Sequence, residues 1–335
     1  MLRLLHGTHY DFIKWWKHMA ILTLAWIAIG FALVIGNKIA GRNAVNYSIE
    51  FTGGTLMQLQ FAKPPDVGEI RSTLDDAGIR GAEIQQFGTN RDFTVRAQNP
   101  SQVAAQARGA ENIAVTIEAV LKKKFGENSF RVGRTEAVGP RVGQELKRGA
   151  IIAILLSFLI TLVYLSIRFE WRFATAAVIA TSHDVFTTIA FLKLMHLEIS
   201  LTVVAGLLTV LGYSLNDTII IFDRVRENLR KGRKETLYET LNRSINETLP
   251  RSVLTHVTTF AATLALLFFA GEVIRPFAWV MAFGIVTGTF SSIYVAAPVL
   301  LWIERKWPRK TGARQASSTV TPTSRTRRSP ATATR

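Results

Sequence analysis

Apolar positions along the chain fall into six blocks, residues 19–35, 150–167, 173–195, 199–222, 252–270 and 277–303. A helical bilayer crossing takes about 20 residues, with roughly 17 to 25 tolerated. The pattern predicts a polytopic α-helical membrane protein with six transmembrane helices. Between the first two blocks lies the one long polar stretch, residues 37–147. Within it, residues 55–61 alternate as a strand, and Pro64-Pro65 lead into a helical run over 66–77 that stops at Gly78. Residues 82–87 and 92–97 read as strands flanking Gly88-Thr89-Asn90. Ser101 then caps a long helix reaching Phe125, closed by Gly126, and residues 129–138 form a last strand. Strand, helix, two strands, helix, strand is the order of a small ferredoxin-like α+β domain, placed between helices 1 and 2.

A formal net charge of +16 raises nucleic-acid binding as a class, but the distribution of the charge removes the need for it. Arg224, Arg226, Arg230, Lys231, Arg233, Lys234 and Arg243 lie between blocks four and five, and a basic tail follows block six. Six crossings put both on the side of the N-terminus, with Arg3, Lys14 and Lys17, and the turn between blocks two and three adds Arg168 and Arg172. By the positive-inside rule this side is cytoplasmic. The organisation expected is a cytoplasmic N-terminus (1–18), a retained first helix (19–36) and an extracytoplasmic α+β domain (37–147), which the resemblance given below makes periplasmic. A five-helix region (148–303) with a basic cytoplasmic loop (223–250) follows, then a disordered basic tail (304–335) rich in Arg, Ser, Thr, Ala and Pro. The loop reads as an amphipathic segment at the cytoplasmic interface, in contact with membrane lipid. There is no cysteine, so no disulfide holds the domain. The domain shows no nucleophile signature and no His, Cys or carboxylate cluster with metal-ligand spacing, which favours a binding or mechanical role over an enzymatic one.

Chemistry is concentrated inside the membrane. Asp217 lies in block four, about five residues or 8 Å from its cytoplasmic end. A charge at the bilayer centre costs from about 2.5 kcal/mol on insertion scales to more than 10 in simulations, so Asp217 needs an interior position and a partner. Arg251, at the cytoplasmic start of block five and preceded by Pro250, is at comparable depth and is the partner expected. Thr255, Thr258 and Thr259 continue its face. Block three carries His183 and Asp184 about 16 Å from its cytoplasmic end. On a helix Asp184 shares a face with Thr181, Thr187 and Thr188, a polar stripe that should look inward. Block two has no charge and suits a lipid-facing helix. In block six, Gly284 and Gly288, with Ser291 and Ser292 on the next turn, read as a close helix contact needing no ligand. Gly139-Pro140, before block two, reads as a hinge, a rigid lead-in or an ordinary loop.

These motifs, taken in order, resemble the SecD/SecF family of protein-export membrane proteins. The segment Gly212-Tyr-Ser-Leu-Asn216-Asp217-Thr-Ile-Ile-Ile-Phe-Asp223-Arg224-Val-Arg226-Glu-Asn228 is similar to the signature of its SecF branch. Phe51-Thr52-Gly53-Gly54, Val138-Gly139-Pro140, His183-Asp184-Val185 and Asn242-Arg-Ser-Ile-Asn-Glu-Thr-Leu-Pro250-Arg251 fall where that family has them. The resemblance covers roughly residues 10–302 and does not reach the tail. It implies a half bundle of the resistance-nodulation-division type in the bacterial inner membrane. It also implies a pseudo-symmetric SecD partner, the SecYEG channel, accessory membrane subunits such as YajC, and a translocating preprotein. The implied activity is assistance of preprotein export by the proton-motive force, with protons as coupling ion and no other cofactor. The implied relay is Asp217 and Arg251 with Asp184. Around it, His183, His256, Asn216 and Thr255 are read as candidate auxiliaries, and Phe51, Gly53, Gly54, Gly139 and Pro140 as motifs that couple the bundle to the domain. Three positions depart from the family pattern: Glu50 stands where Asp usually precedes Phe-Thr-Gly-Gly, Pro250 precedes the arginine, and His256 lies one turn beyond it. Two other classes remain to be weighed, a proton-driven exporter half for drugs or lipids and a membrane scaffold whose charged pair only fixes helix register.

Overall fold

A computed structural model describes residues 7–41, 43–97, 109–231, 235–271 and 273–308, with the backbone alone for 109–112. Ser101 and the tail beyond 308 lie outside the described residues. Six helical segments are long and apolar enough to cross a membrane. They are α1 (Trp16–Ile39), α5 (Pro140–Arg168), α6 (Trp171–Leu194), α7 (Leu201–Arg230), α8 (Leu237–Phe269) and a composite of α9 (Arg275–Ser291), a π turn (Ser292–Ala296) and α10 (Ala297–Lys306). Helices α6, α7 and α9–α10 bury much of their surface, whereas α1 and α5 present Ile21, Leu24, Leu155 and Leu159 outward. That exposed apolar surface is what a lipid-facing helix requires.

The polar stretch folds as α2 (Ile49–Thr52), β1 (Gly54–Phe61), α3 (Val67–Asp76), β2 (Glu83–Gln86), β3 (Asp92–Ala97), α4 (Gly109–Phe125) and β4 (Phe130–Val138). The strands form an antiparallel sheet in the order β2-β3-β1-β4, the ferredoxin-like arrangement expected from the element order. Alternation puts Met57, Leu59 and Phe61 on the face covered by α3 and α4, where they pack with Ile70, Leu74, Ile117 and Leu121. Asp66 caps α3 through the Gly68 amide, and Gly78 ends it with φ +82°. Gly133 is an extra residue in β4 that inverts the alternation, so that Val132 pairs with core-facing Leu59 whereas Arg134 and Glu136 pair with Gln58 and Leu56 on the other face.

The glycine motif at the domain's base is explained by close packing. Gly53 has φ +73°, and a Cβ there would lie 2.8 Å from the Cα of Pro140; Gly54 follows at φ +123°. Phe51 is buried, and a Cβ on Gly143 would meet its carbonyl carbon at 3.2 Å. One residue, Gly139, separates β4 from α5, which opens with Pro140 in its first turn. Proline at the first helical position is pre-organised for the helix, so this junction is a rigid lead-in rather than a hinge. The expected boundary at 147 therefore falls inside α5.

The basic loop expected over 223–250 is mostly helix. α7 runs on to Arg230, supported by ion pairs from Glu227 to Arg224 and Lys231 at helical spacing. α8 starts much earlier than Arg251, with a capping box between Thr236 and Glu239. Pro250 thus lies inside a helix of 33 residues, not at a helix start. Charge and polarity ended the apolar blocks in the sequence, but neither ends a helix that has caps and paired side chains beyond the bilayer.

Candidate functional site

The site begins with small residues that bring helices together. A Cβ on Gly284 of α9 would lie 2.2 Å from Cγ2 of Val210 on α7, and one on Gly288 would lie 3.0 Å from the Cβ of Ser214. Lacking side chains, these glycines let the two backbones approach, as small residues do between membrane helices. The next turn of α9 ends at Ser291, where the π turn starts. Such turns are rare and cluster at functional sites.

Asp184 of α6 is fully buried among these helices. Its Oδ2 accepts hydrogen bonds from Ser214 Oγ of α7 at 2.5 Å and from Ser291 Oγ at 2.8 Å. Nδ1 of His183 stands 3.3 Å from Oδ1, and Nε2 of the same ring is buried without a hydrogen bond to any described residue. The inward stripe of Thr181, Thr187 and Thr188 is buried as expected. The hydroxyls of Thr187 and Thr188 donate to the Asp184 backbone carbonyl, so the hydroxyl donors to the carboxylate come from other helices.

Asp217 lies on the next inward position of α7 and is also buried. Oδ1 accepts from Ser252 Oγ of α8 at 2.5 Å, and Oδ2 has no hydrogen-bond partner among the described residues. Thr218 and Ser292 share a hydrogen bond of 2.9 Å beside it. His256 is buried one turn beyond Ser252, its ring packed edge-on against Tyr213 at 5.3 Å, and the Tyr213 hydroxyl donates to the Thr255 carbonyl.

The expected Asp217–Arg251 pair is not formed in this state. Arg251 is exposed, and none of the ion pairs among the described residues includes it or Asp217. The reason is helical phase: Ser252 and His256, four residues apart, stack on the inner face of α8, and Arg251 is turned about 100° from Ser252. Thr255 follows Arg251 outward, and Asn216 and Gly212 face outward from α7. Of the proposed auxiliaries, His183 is brought to Asp184, and His256 is buried on the inner face of α8 one turn from the serine that holds Asp217; Asn216 and Thr255 face away. Ser214, Ser252, Ser291 and Ser292 supply contacts that the sequence did not single out as site residues. Their signal was positional: each sits at helical spacing from a glycine, an acid or a histidine already marked.

Nearer the start of α8, Asn242 and Asn246 hold the N-terminal segment. Asn246 exchanges two hydrogen bonds with the backbone of Tyr10, at 2.9 and 2.8 Å, and Asn242 bonds the Ile13 amide and Asp11. Tyr238 donates to Asp11 at 2.5 Å and holds its carboxyl below the usual aspartate range, with the Lys14 amide and Asn242 acting in the same direction.

Fold and site together define a six-span membrane protein with two buried acids in its bundle and a ferredoxin-like domain between its first two spans. Residues 116–306 match the family model of the protein export membrane protein SecD/SecF, C-terminal, and residues 42–65 match the SecD/SecF GG motif. The chain is 61% identical over 310 residues to the protein translocase subunit SecF of Gemmatimonas aurantiaca, covering 92% of this chain and 91% of that one. It is 38% identical over 304 residues to the protein translocase subunit SecF of Escherichia coli O157:H7, covering 90% of each. The crystal structure of SecDF from Thermus thermophilus, a translocon-associated membrane protein, superposes with a TM-score of 0.77 at 33% identity over 91% of this chain. The chain spans 40% of the length of that SecDF chain. The chain belongs to the SecD/SecF family, on its SecF branch, and so among transport proteins rather than enzymes.

Proposed function

We propose that the chain is the SecF-type subunit of a bacterial Sec translocase. With a SecD partner it uses the proton-motive force to assist preprotein export through SecYEG, in contact with accessory subunits such as YajC. The observation that carries this reading is the pair of buried acids, Asp184 and Asp217, each held by serine hydroxyls from neighbouring helices and neither paired with Lys or Arg among the described residues. Intramembrane acids that face a bundle interior mark proton and ion pathways.

In this mechanism Asp217 alternates between ionised and protonated forms, and Asp184 serves as the second acid of the path. His183 and His256 stand beside the two acids as exchange partners. A change of charge at Asp217 alters the balance of contacts with Ser252 on α8, so each protonation state favours its own helix packing. A potential of 100 mV contributes about 2.3 kcal/mol for each charge moved across the membrane, enough to bias two packings. Arg251 pairs with Asp217 in another state of the cycle.

The basic end of the bundle is cytoplasmic by the positive-inside rule and the α+β domain is periplasmic, in the bacterial inner membrane. The outward surface of Gly212, Asn216, Arg251 and Thr255 is where SecD docks. Small and polar residues open to lipid are costly there, and the chain spans two-fifths of the SecDF chain it superposes on.

The test is Asp217→Asn in inverted membrane vesicles with SecD and SecYEG present. Loss of proton-driven export stimulation and of proton flux, with normal assembly, is expected. Unchanged flux and export would overturn the relay.

A further inference from the structure

The face of the domain's sheet that points away from its core carries Gln58, Gln60, Thr94, Arg134 and Glu136, all at least partly exposed. Arg96 lies on this face and breaks the pattern, with 7% exposure. A buried guanidinium needs partners, and these come from the bundle as well as from the domain. Arg96 forms an ion pair with Glu198, in the turn between α6 and α7, and with Glu83 of β2 at 3.5 Å; it donates to the Tyr47 carbonyl at 3.3 Å.

The backbone beside it is joined in the same place. Tyr47 and Ile199 form a parallel bridge, with Ser48 N donating to Ile199 O at 2.9 Å and Ile199 N to Asn46 O at 2.7 Å. Glu50, on α2, accepts from the amide of Leu201 at 2.6 Å. Leu201 is the first residue of α7, whose other early amide, Val203, is capped by Ser200. Glu50 therefore satisfies an orphan amide and sets a negative charge at the positive end of the helix dipole. α2 and the Gly53 that follows it are in turn pressed against the first turn of α5, Phe51 at Gly143 and Gly53 at Pro140.

Asp217 is on that same helix, about 24 Å along it from Leu201. We propose that Glu50, Arg96 and Glu198 are positioning residues that clasp the domain to the N-terminus of the Asp217 helix, and that the clasp stays closed while the protein works. Movement of α7 is then carried to the domain as one body, by this joint in addition to the continuous β4–α5 lead-in. The inference rests on the proton-driven reading only in taking α7 as the helix that moves.

Because the chain has no cysteine, paired cysteines can test the joint in the full chain assembled with SecD. A Tyr47→Cys/Ile199→Cys disulfide is expected to leave proton-driven export within about twofold of the reduced form. Glu50→Ala and Arg96→Ala are each expected to lower export about tenfold while proton flux persists, and Glu50→Asp and Arg96→Lys to restore most of it. A disulfide that stops export until it is reduced would overturn the closed clasp, and so would wild-type export in both alanine variants. Spin labels at Ser72→Cys and Met195→Cys, read without any proton gradient, separate this from failure of the relay. One narrow distance that broadens in Arg96→Ala supports the clasp whatever Asp217→Asn does, and an unchanged distribution sinks it.

Discussion

Ser252 donates to Oδ1 of Asp217 at 2.5 Å, one residue after an arginine that faces away from the same carboxylate. Removing the hydroxyl leaves Asp217 without its hydrogen bond from α8. A hydrogen bond to a charged group contributes about 1.5–3 kcal/mol, so Ser252→Ala should lower proton-driven export by roughly tenfold or more, and Ser252→Thr should retain most of it. Protease protection of a preprotein in inverted vesicles measures both.

Close approach of α9 and α7 rests on Gly284, where a Cβ would meet Val210 at 2.2 Å; at Gly206 the nearest atom, on Val280, would be 3.1 Å away. Gly284→Ala should destabilise the detergent-solubilised chain by about 1–3 kcal/mol, with a smaller effect from Gly206→Ala. Ranking the thermal midpoints of the two variants checks this. Gly206→Ala as the worse substitution would contradict it.

Gly53 and Gly78 both have positive φ, +73° and +82°, but a Cβ on Gly53 meets Pro140 whereas one on Gly78 meets nothing within 4 Å. Gly78→Ala should therefore cost only the backbone term of about 1–2 kcal/mol. Gly53→Ala should cost more and loosen the domain's attachment, seen as faster proteolysis near residues 139–140.

Asp11 has its carboxyl held low by hydrogen bonds from Tyr238, the Lys14 amide and Asn242. A depressed folded value means that the tether contributes fully above the ordinary aspartate range and is lost as pH falls through the lower, folded value. Protection of the amides of residues 10–13, taken relative to their intrinsic exchange rate at each pH, should be high at neutral pH and fall only below about pH 4, while Asp11→Asn should flatten the profile. A transition near pH 6 would point to another group.

Gly212 lies in open space on the outward face of α7. Gly212→Leu should leave the isolated chain's stability within about 0.5 kcal/mol, yet weaken co-purification with SecD. Undiminished co-purification would place the partner on another face.

Runs of apolar residues and alternation were enough to place six spans, the domain between the first two and the order of its sheet, because burial in lipid and in a sheet core each impose a period that a single chain displays. The acids were legible for the same reason: Asp184 and Asp217 are conspicuous in hydrocarbon. Tertiary structure alone decided their partners. Arg251 and Ser252 are adjacent in sequence and about 100° apart on α8, and only the packing of α8 against α7 determines which of them faces Asp217. Likewise Arg96 and Glu198 are ordinary surface charges in the sequence and Glu50 only a variation next to a glycine motif; the three become a joint only when the domain is seated on the turn before α7. Hydrophobic periodicity fixes which face of each element is buried, whereas the pairing of polar groups depends on contacts between elements remote in the chain.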